Sequence, residues 1–148
     1  MKNNPRADVP IGKYIFRLSR KHAALHRLQR WVAVNGALKL TLQQAAEIAA
    51  LEPHYFSAAF HQHVGQSFLE WRREYRAKVA VHLINKGIFS IDYIGTLVGY
   101  RDRRSLERAI AAFTGRTAAY FKHHSKAAGG ALRPGGRESQ LRWHETDW

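Results

Sequence analysis

SIDYIGTLVGYRDRRSLERAIAAFTGRT, residues 90–117, repeats the pattern of TLQQAAEIAALEPHYFSAAFHQHVGQS, residues 41–67, and this duplication decides the fold. Thr41/Ser90, Leu42/Ile91, Ala45/Ile94, Ala46/Gly95, Ala49/Val98 and Ala50/Gly99 lie 49 positions apart. One residue is then inserted, and Phe56/Leu106, Phe60/Ile110, Gly65/Gly115 and Ser67/Thr117 lie 50 apart. Each copy reads as a capped helix of two turns, a short turn and a second helix with a large apolar inner face. That is the helix-turn-helix pattern. The small residues Ala46 and Gly95 let the paired helices cross closely. Gly99 can take a positive φ freely in its turn, whereas Ala50 would be strained there by about 1 kcal/mol.

Helical spacing extends outward from the repeat. Ile11, Tyr14, Ile15 and Leu18, then Leu25, Leu28, Trp31 and Val32, recur at the intervals of one buried helix face. Asn35-Gly36 ends the second of these runs. Thr41-Leu42-Gln43-Gln44 and Ser67-Phe68-Leu69-Glu70 are capping boxes, Pro53 suits a first helical turn, and Gly65 and Gly115 suit left-handed stops. From Ser67 an amphipathic run carries Phe68, Trp71, Tyr75, Val79, Ala80 and Leu83 towards Asn85-Lys86-Gly87, and Ser90 caps the helix after it. After Lys122 the paired glycines and the absence of a continuous apolar face read as a flexible tail over 123–148, with Leu141, Trp143 and Trp148 as its docking candidates.

At 148 residues the chain suits one domain, and without cysteine it has no disulfide, thiolate ligand or thiol nucleophile. No stretch is apolar enough for a membrane span, and the basic N-terminus does not read as a signal peptide. A cytoplasmic, nucleoid-associated address fits. The formal charge of +13 makes polyanions the expected partners. The excess is concentrated early, with nine basic residues against one acidic in residues 1–40, eleven against seven in 41–122, and four against three in 123–148.

Over roughly residues 24–122 the order and spacing resemble the AraC/XylS family of transcription regulators. The most specific stretches are FHQHVGQSFLEWRREYRAKVAVHLI (60–84), with its F-x4-G-x-S start, aromatic, Arg76, Ala80 and Leu83, and residues 90–122. Glu52 replaces the family's usual Ser cap, Ile110 its usual aromatic, Ala118 its usual Pro and Phe121-Lys122 its usual Tyr-Arg. The resemblance implies an all-α, homeodomain-like architecture of two helix-turn-helix subdomains, about 41–65 and 90–115, joined by a linker helix at about 67–86. Residues 1–23 are then a basic extension, too short for the sensor domain many members carry, which implies a stand-alone DNA-binding form. The charge over residues 2–30 suits a basic helix or arm lying along phosphate, or a docking surface for a partner such as RNA polymerase.

Within RDRRSLERAIAAF, Asp102 is a natural N-cap, and Leu106, Ala109, Ile110 and Phe113 fall on the core side. Arg103, Arg104, Ser105, Glu107 and Arg108 remain outside. Arg104 and Arg108 are neighbours on one face and can grip guanine or phosphate, Glu107 can accept from cytosine, and the helix N-terminus favours phosphate. Alternatively Glu107 pairs with Arg103 or Arg104 on a solvated surface. The matching outward set in the first unit is His54, Tyr55, Ser57, Ala58 and His61, where the resemblance places base contacts and where the surface is almost neutral. The second unit is therefore expected to carry more of the electrostatic grip. Arg72, Arg73, Arg76 and Lys78 read as the outer face of the linker helix, although the resemblance makes Arg76 a brace between units.

The linker of about 18 residues spans roughly 27 Å, near the roughly 34 Å spacing of successive major-groove faces, so one chain can offer two reading helices to double-stranded DNA without dimerising. No catalytic signature, metal ligand set or cofactor motif is found: His61 and His63 lie two apart and face different ways, and GGALRPGG lacks the Gly-Lys-Ser/Thr end of a phosphate loop. The alternatives are a sequence-indifferent nucleic-acid binder and a degenerate repeat serving protein interaction.

Overall fold

The computed structural model of the chain describes residues 8–127. The expectations placed on residues 1–7 and on 128–148, including docking by Leu141, Trp143 and Trp148, lie outside them. The fold is all-helical. Among the described residues there are seven helices and no strand: α1 (Ala23–Asn35), α2 (Leu42–Ala49), α3 (Pro53–Val64), α4 (Phe68–Lys86), α5 (Ile91–Val98), α6 (Arg103–Thr114) and α7 (Ala118–Ala127). None of them is long and apolar enough to cross a membrane. The chain divides into two compact units, one built from Ile11–Tyr75 and the other centred on the chain from Arg76 onward, and α4 carries the backbone from the first to the second.

The caps set the boundaries. Thr41 Oγ1 accepts from the Gln44 N–H at 3.1 Å while Gln44 Oε1 accepts from the Thr41 N–H at 3.1 Å. The Ser67–Glu70 box closes in the same way at 3.1 and 3.2 Å. Ser90 and Thr117 accept from the N–H groups of Tyr93 and Tyr120. Both repeat turns have one geometry. Ala50 (φ 57°) and Gly99 (φ 95°) are left-handed, and the next residue's N–H reaches back to Ala46 O at 2.9 Å and to Gly95 O at 2.8 Å. The extra residue of the second copy is then explained, because Leu51 alone separates Ala50 from the cap Glu52, whereas Tyr100 and Arg101 separate Gly99 from the cap Asp102.

In the first unit the core is a ring cluster. Phe16 meets Phe60 and Trp71 edge-to-face, with centroids 4.9 Å (Phe16–Phe60) and 5.1 Å (Phe16–Trp71) apart, and Phe68 joins at 5.5 Å from Phe60. Leu25, Leu28 and Val32 of α1 complete it, while Trp31 stays 37% exposed instead of sharing their burial. The second unit buries Val79, Ala80, Leu83, Ile84, Ile91, Ile94, Val98, Leu106, Ile110 and Phe121, a mainly aliphatic set. Leu106 lies 3.4 Å from where a Cβ on Gly95 would be, an ordinary contact distance, so the two helices cross at a separation that a small residue suits, as Ala46 does in the first copy. Ala109 and Phe113, expected inside, are half-exposed, and the buried Thr114 takes the last inner position of α6, donating from Oγ1 to Ile110 O at 2.6 Å.

The helix expected over Ile11–Leu18 does not form. This stretch is a strap with Gly12 at φ 89° and Tyr14 at φ 62°, and Ile11 is 51% exposed. Phe16, which the helical spacing left off the apolar face, is buried in the ring cluster, and its carbonyl accepts from Gln29 Nε2 at 2.8 Å. The left-handed Tyr14 costs about 1–2 kcal/mol. Burying the Phe16 ring recovers roughly 1.5–3 kcal/mol and its edge contacts about 0.5–1.5 more, so tertiary packing outweighs the local spacing. At the other end, helix α7 continues past Lys122 to Ala127, where the sequence suggested the start of a tail.

Candidate nucleic-acid interface

The second helix of each repeat presents one face outward because its caps and inner residues fix its rotation. In α6, Asp102 Oδ1 accepts from the Ser105 N–H at 2.7 Å, and Leu106, Ile110 and Thr114 are buried. Arg103, Arg104 and Arg108 are exposed, with Ser105 and Glu107 half-exposed beside them. The bond from the Ser105 backbone, then that from its side chain, holds the Asp102 carboxyl below its usual range.

Two of the outward residues are engaged with each other. Arg103 Nε donates to Glu107 Oε1 at 2.9 Å, one helical turn on, and its Nη1 lies 3.9 Å from Asp92 Oδ2. The bond to Glu107 raises the Arg103 pKa. The bond takes one of the two carboxylate oxygens of Glu107, so a base would share this side chain with Arg103. The helix end is also less open to phosphate than the bare sequence suggests, since Asp102 puts a carboxylate on it.

In α3 the cap is Glu52, whose two oxygens accept from the N–H groups of His54 and Tyr55, each at 3.0 Å. Those two bonds lower its pKa, the one from His54 contributing most. A longer carboxylate thus does the work of the serine usual at this position. Phe56, Ala59 and Phe60 are buried. His54, Tyr55, Ala58 and His61 are exposed, Tyr55 by 59%, and Ser57 is half-buried. Not one residue of α3 is an Asp, Glu, Lys or Arg. His63, by contrast, turns towards the strap, its ring centroid 4.8 Å from that of His22.

The arginines of α4 divide by role. Arg72 Nη1 donates to Leu40 O at 2.9 Å, tying α4 to the segment before α2, so it is not part of a solvated outer face. The Arg76 guanidinium carbon lies 3.3 Å from where a Cβ on Gly99 would stand, so Arg76 lies against the turn of the second helix-turn-helix. Arg73 is exposed. Neither contact had a signal in spacing alone, since helical phase gives a direction and no partner. Arg116, which the reading of the repeat did not single out, stands 4.8 Å over the Tyr120 ring. Among the described residues no group of three His, Cys, Asp or Glu side chains is placed to hold a metal ion.

A family model described as "Helix-turn-helix domain" matches residues 45–124. The chain belongs to the AraC/XylS-type helix-turn-helix family. The match takes in most of the first repeat, all of α4 and all of the second repeat. An HTH-type transcriptional regulator, RipA of Corynebacterium glutamicum, is 34% identical over 100 residues, covering 68% of this chain and 30% of the relative. An HTH-type transcriptional activator, Btr of Bacillus subtilis, is 26% identical over 81 residues, covering 55% of this chain and 15% of the relative. The chain thus spans less than a third of the length of these curated relatives. No solved structure matches.

Proposed function

We propose that this AraC/XylS-type chain is a sequence-specific DNA-binding transcription regulator whose DNA-binding region, about residues 24–122, inserts α3 and α6 into neighbouring major grooves of one duplex. The observation that carries this reading is the doubled helix-turn-helix, with a second helix in each copy that turns an exposed face outward from matched caps. Arg104 and Arg108 supply guanine or phosphate contacts, with Ser105, Arg103 and Glu107 beside them. His54, Tyr55, Ser57, Ala58 and His61 supply lighter contacts from the first unit, Ala58 through its methyl group to thymine. The names of the relatives, a regulator and an activator, support the transcriptional role.

α4 has 19 residues, which is roughly 28 Å of helix and commensurate with the roughly 34 Å repeat of the groove. A single chain can thus read an asymmetric site without obligatory dimerisation, working on the nucleoid in the cytoplasm, with RNA polymerase as a further partner. Selection from a random duplex library tests the proposal. The expected product is a motif of two unequal half-sites about ten base pairs apart. Uniform recovery of all sequences would mean indifferent binding, a reading that the uncharged α3 favours, and no binding even at low salt would mean a protein-interaction module.

A further inference from the structure

The strap between Phe16 and α1 forms, with the first turns of that helix, an open hollow of about 710 Å³ within the first unit. Arg17, Arg20, Lys21, His22, His26 and Gln29 line it, and no carboxylate is among its lining residues. Arg17, Arg20 and Lys21 are exposed, yet the backbone that carries them is pinned. The Phe16 carbonyl accepts from Gln29 Nε2 at 2.8 Å, the Ser19 N–H donates to His63 O at 2.8 Å, and His22 Nδ1 accepts from the Leu25 N–H at 3.3 Å to start α1. Three permanent cations therefore stand around one hollow on a backbone that is held in place, so an arriving anion has only their side chains to order.

The strap is attached to a particular place on α3. Ser19 and His22 both meet His63, in the last turn of that helix, whereas the proposed reading residues begin at His54, about nine residues or roughly 13 Å away along the axis. A helix that enters a groove at its N-terminal end brings its far end towards the flanking sugar-phosphate strand. α3 itself has no Lys or Arg to hold that strand. We infer that the hollow of Arg17, Arg20 and Lys21 grips a backbone phosphate of the duplex read by α3, so that the first unit takes its charge from the strap and its base contacts from the helix. The inference rests on the DNA-binding reading above.

The test uses the full chain, with Arg17→Gln, Arg20→Gln and Lys21→Gln combined, and Arg17→Lys with Arg20→Lys as a variant that keeps the charge. Affinity for the selected duplex and for a random-sequence duplex is measured from 50 to 200 mM salt. The triple variant is expected to lose about 2–3 from the slope of log affinity against log salt and at least about tenfold in affinity at the upper end, for both duplexes alike. The lysine variant should keep the slope. Unchanged melting identifies a folded protein, and Lys21→Gln alone, with a loss of about 1 in slope, decides the matter should the triple variant fail to fold.

An unchanged slope overturns the inference, as does a loss confined to one sequence, which would signal a base contact. Binding of inorganic pyrophosphate that the triple variant abolishes, with the duplex slope intact, also overturns it and assigns the hollow to a free phosphate compound. Should no sequence be preferred while the random-duplex slope still falls, the sequence-specific reading fails and the phosphate site stands.

Discussion

Position by position, Phe56 and Phe60 of α3 stand where Leu106 and Ile110 stand in α6, and His54 and Ala58 stand where Arg104 and Arg108 do. Both sets of inner residues are buried, and each helix has twelve residues between a carboxylate cap and a left-handed glycine. Rings and branched aliphatics thus fill equivalent places provided that spacing, cap and stop agree. The outer positions obey no such rule, because the fold makes no demand on an exposed side chain. What differs there, an uncharged surface in one unit and a cationic one in the other, is left for function to explain.

The largest effect should come from the inner face. Phe60→Ala removes the ring that Phe16, Phe56, Phe68 and Trp71 all approach within 6.0 Å, and is expected to cost about 3–5 kcal/mol in chemical denaturation. A cost below about 2 kcal/mol would show that the first unit does not depend on its ring cluster. On the outer face, Arg104→Ala and Arg108→Ala should each weaken DNA binding by about 1–3 kcal/mol and together lower the salt slope by roughly 2, with stability unchanged. Ser57→Ala, which removes no charge, should leave the slope unaltered. Ala58→Arg, which copies Arg108 into the first unit, should raise it by about 1. Equal responses from the two units would erase the electrostatic contrast between them.

A smaller effect separates the two turns. Ala50 carries a Cβ in the left-handed region and is exposed, so Ala50→Gly is expected to stabilise the chain by up to about 1 kcal/mol. The reverse change, Gly99→Ala, adds that strain and also a Cβ 3.3 Å from the Arg76 guanidinium, so it should cost more than Ala50→Gly gains. Thermal melting of the two variants against the parent checks the asymmetry. A stabilising Gly99→Ala would mean that Arg76 is not set by that turn.

The repeat was legible because its signals are local. A cap three residues before its partner, a small residue at a crossing and a glycine at a stop each work within one or two turns, and they occur twice in the same order. The strap was not legible, since Ile11, Tyr14, Ile15 and Leu18 carry helical spacing while the decisive contact, Phe16 among rings from α3 and α4, is remote in sequence. Arg72 is a similar case, because nothing near it in the chain announces the Leu40 carbonyl. For the candidate interface the sequence gives the outward direction of Arg104, Arg108, His54 and Tyr55, which follows from the phase of the inner face. It leaves open whether Arg103 holds Glu107, a choice between two neighbours at helical spacing that the geometry makes at 2.9 Å.

The least effect expected is also the one that both reading helices should share. Glu52 and Asp102 are held below their ordinary pKa by backbone N–H groups of their own helices, so each carboxylate stabilises the folded chain when charged. That contribution is complete above the unfolded values, about 4.3 for Glu and 3.9 for Asp, and is lost as pH falls through the lower folded values. The melting midpoint should accordingly decline below about pH 4, and part of the decline should vanish in the Glu52→Gln, Asp102→Asn double variant. The two substitutions should differ at neutral pH, because asparagine is itself a good cap and glutamine is not, so Asp102→Asn leaves α6 nearly intact while Glu52→Gln loosens the start of α3. If the double variant loses stability in acid in parallel with the parent, the caps are not the groups that titrate. If only Glu52→Gln flattens the curve, the first unit, with its neutral outer face, depends on its cap charge more than the second does.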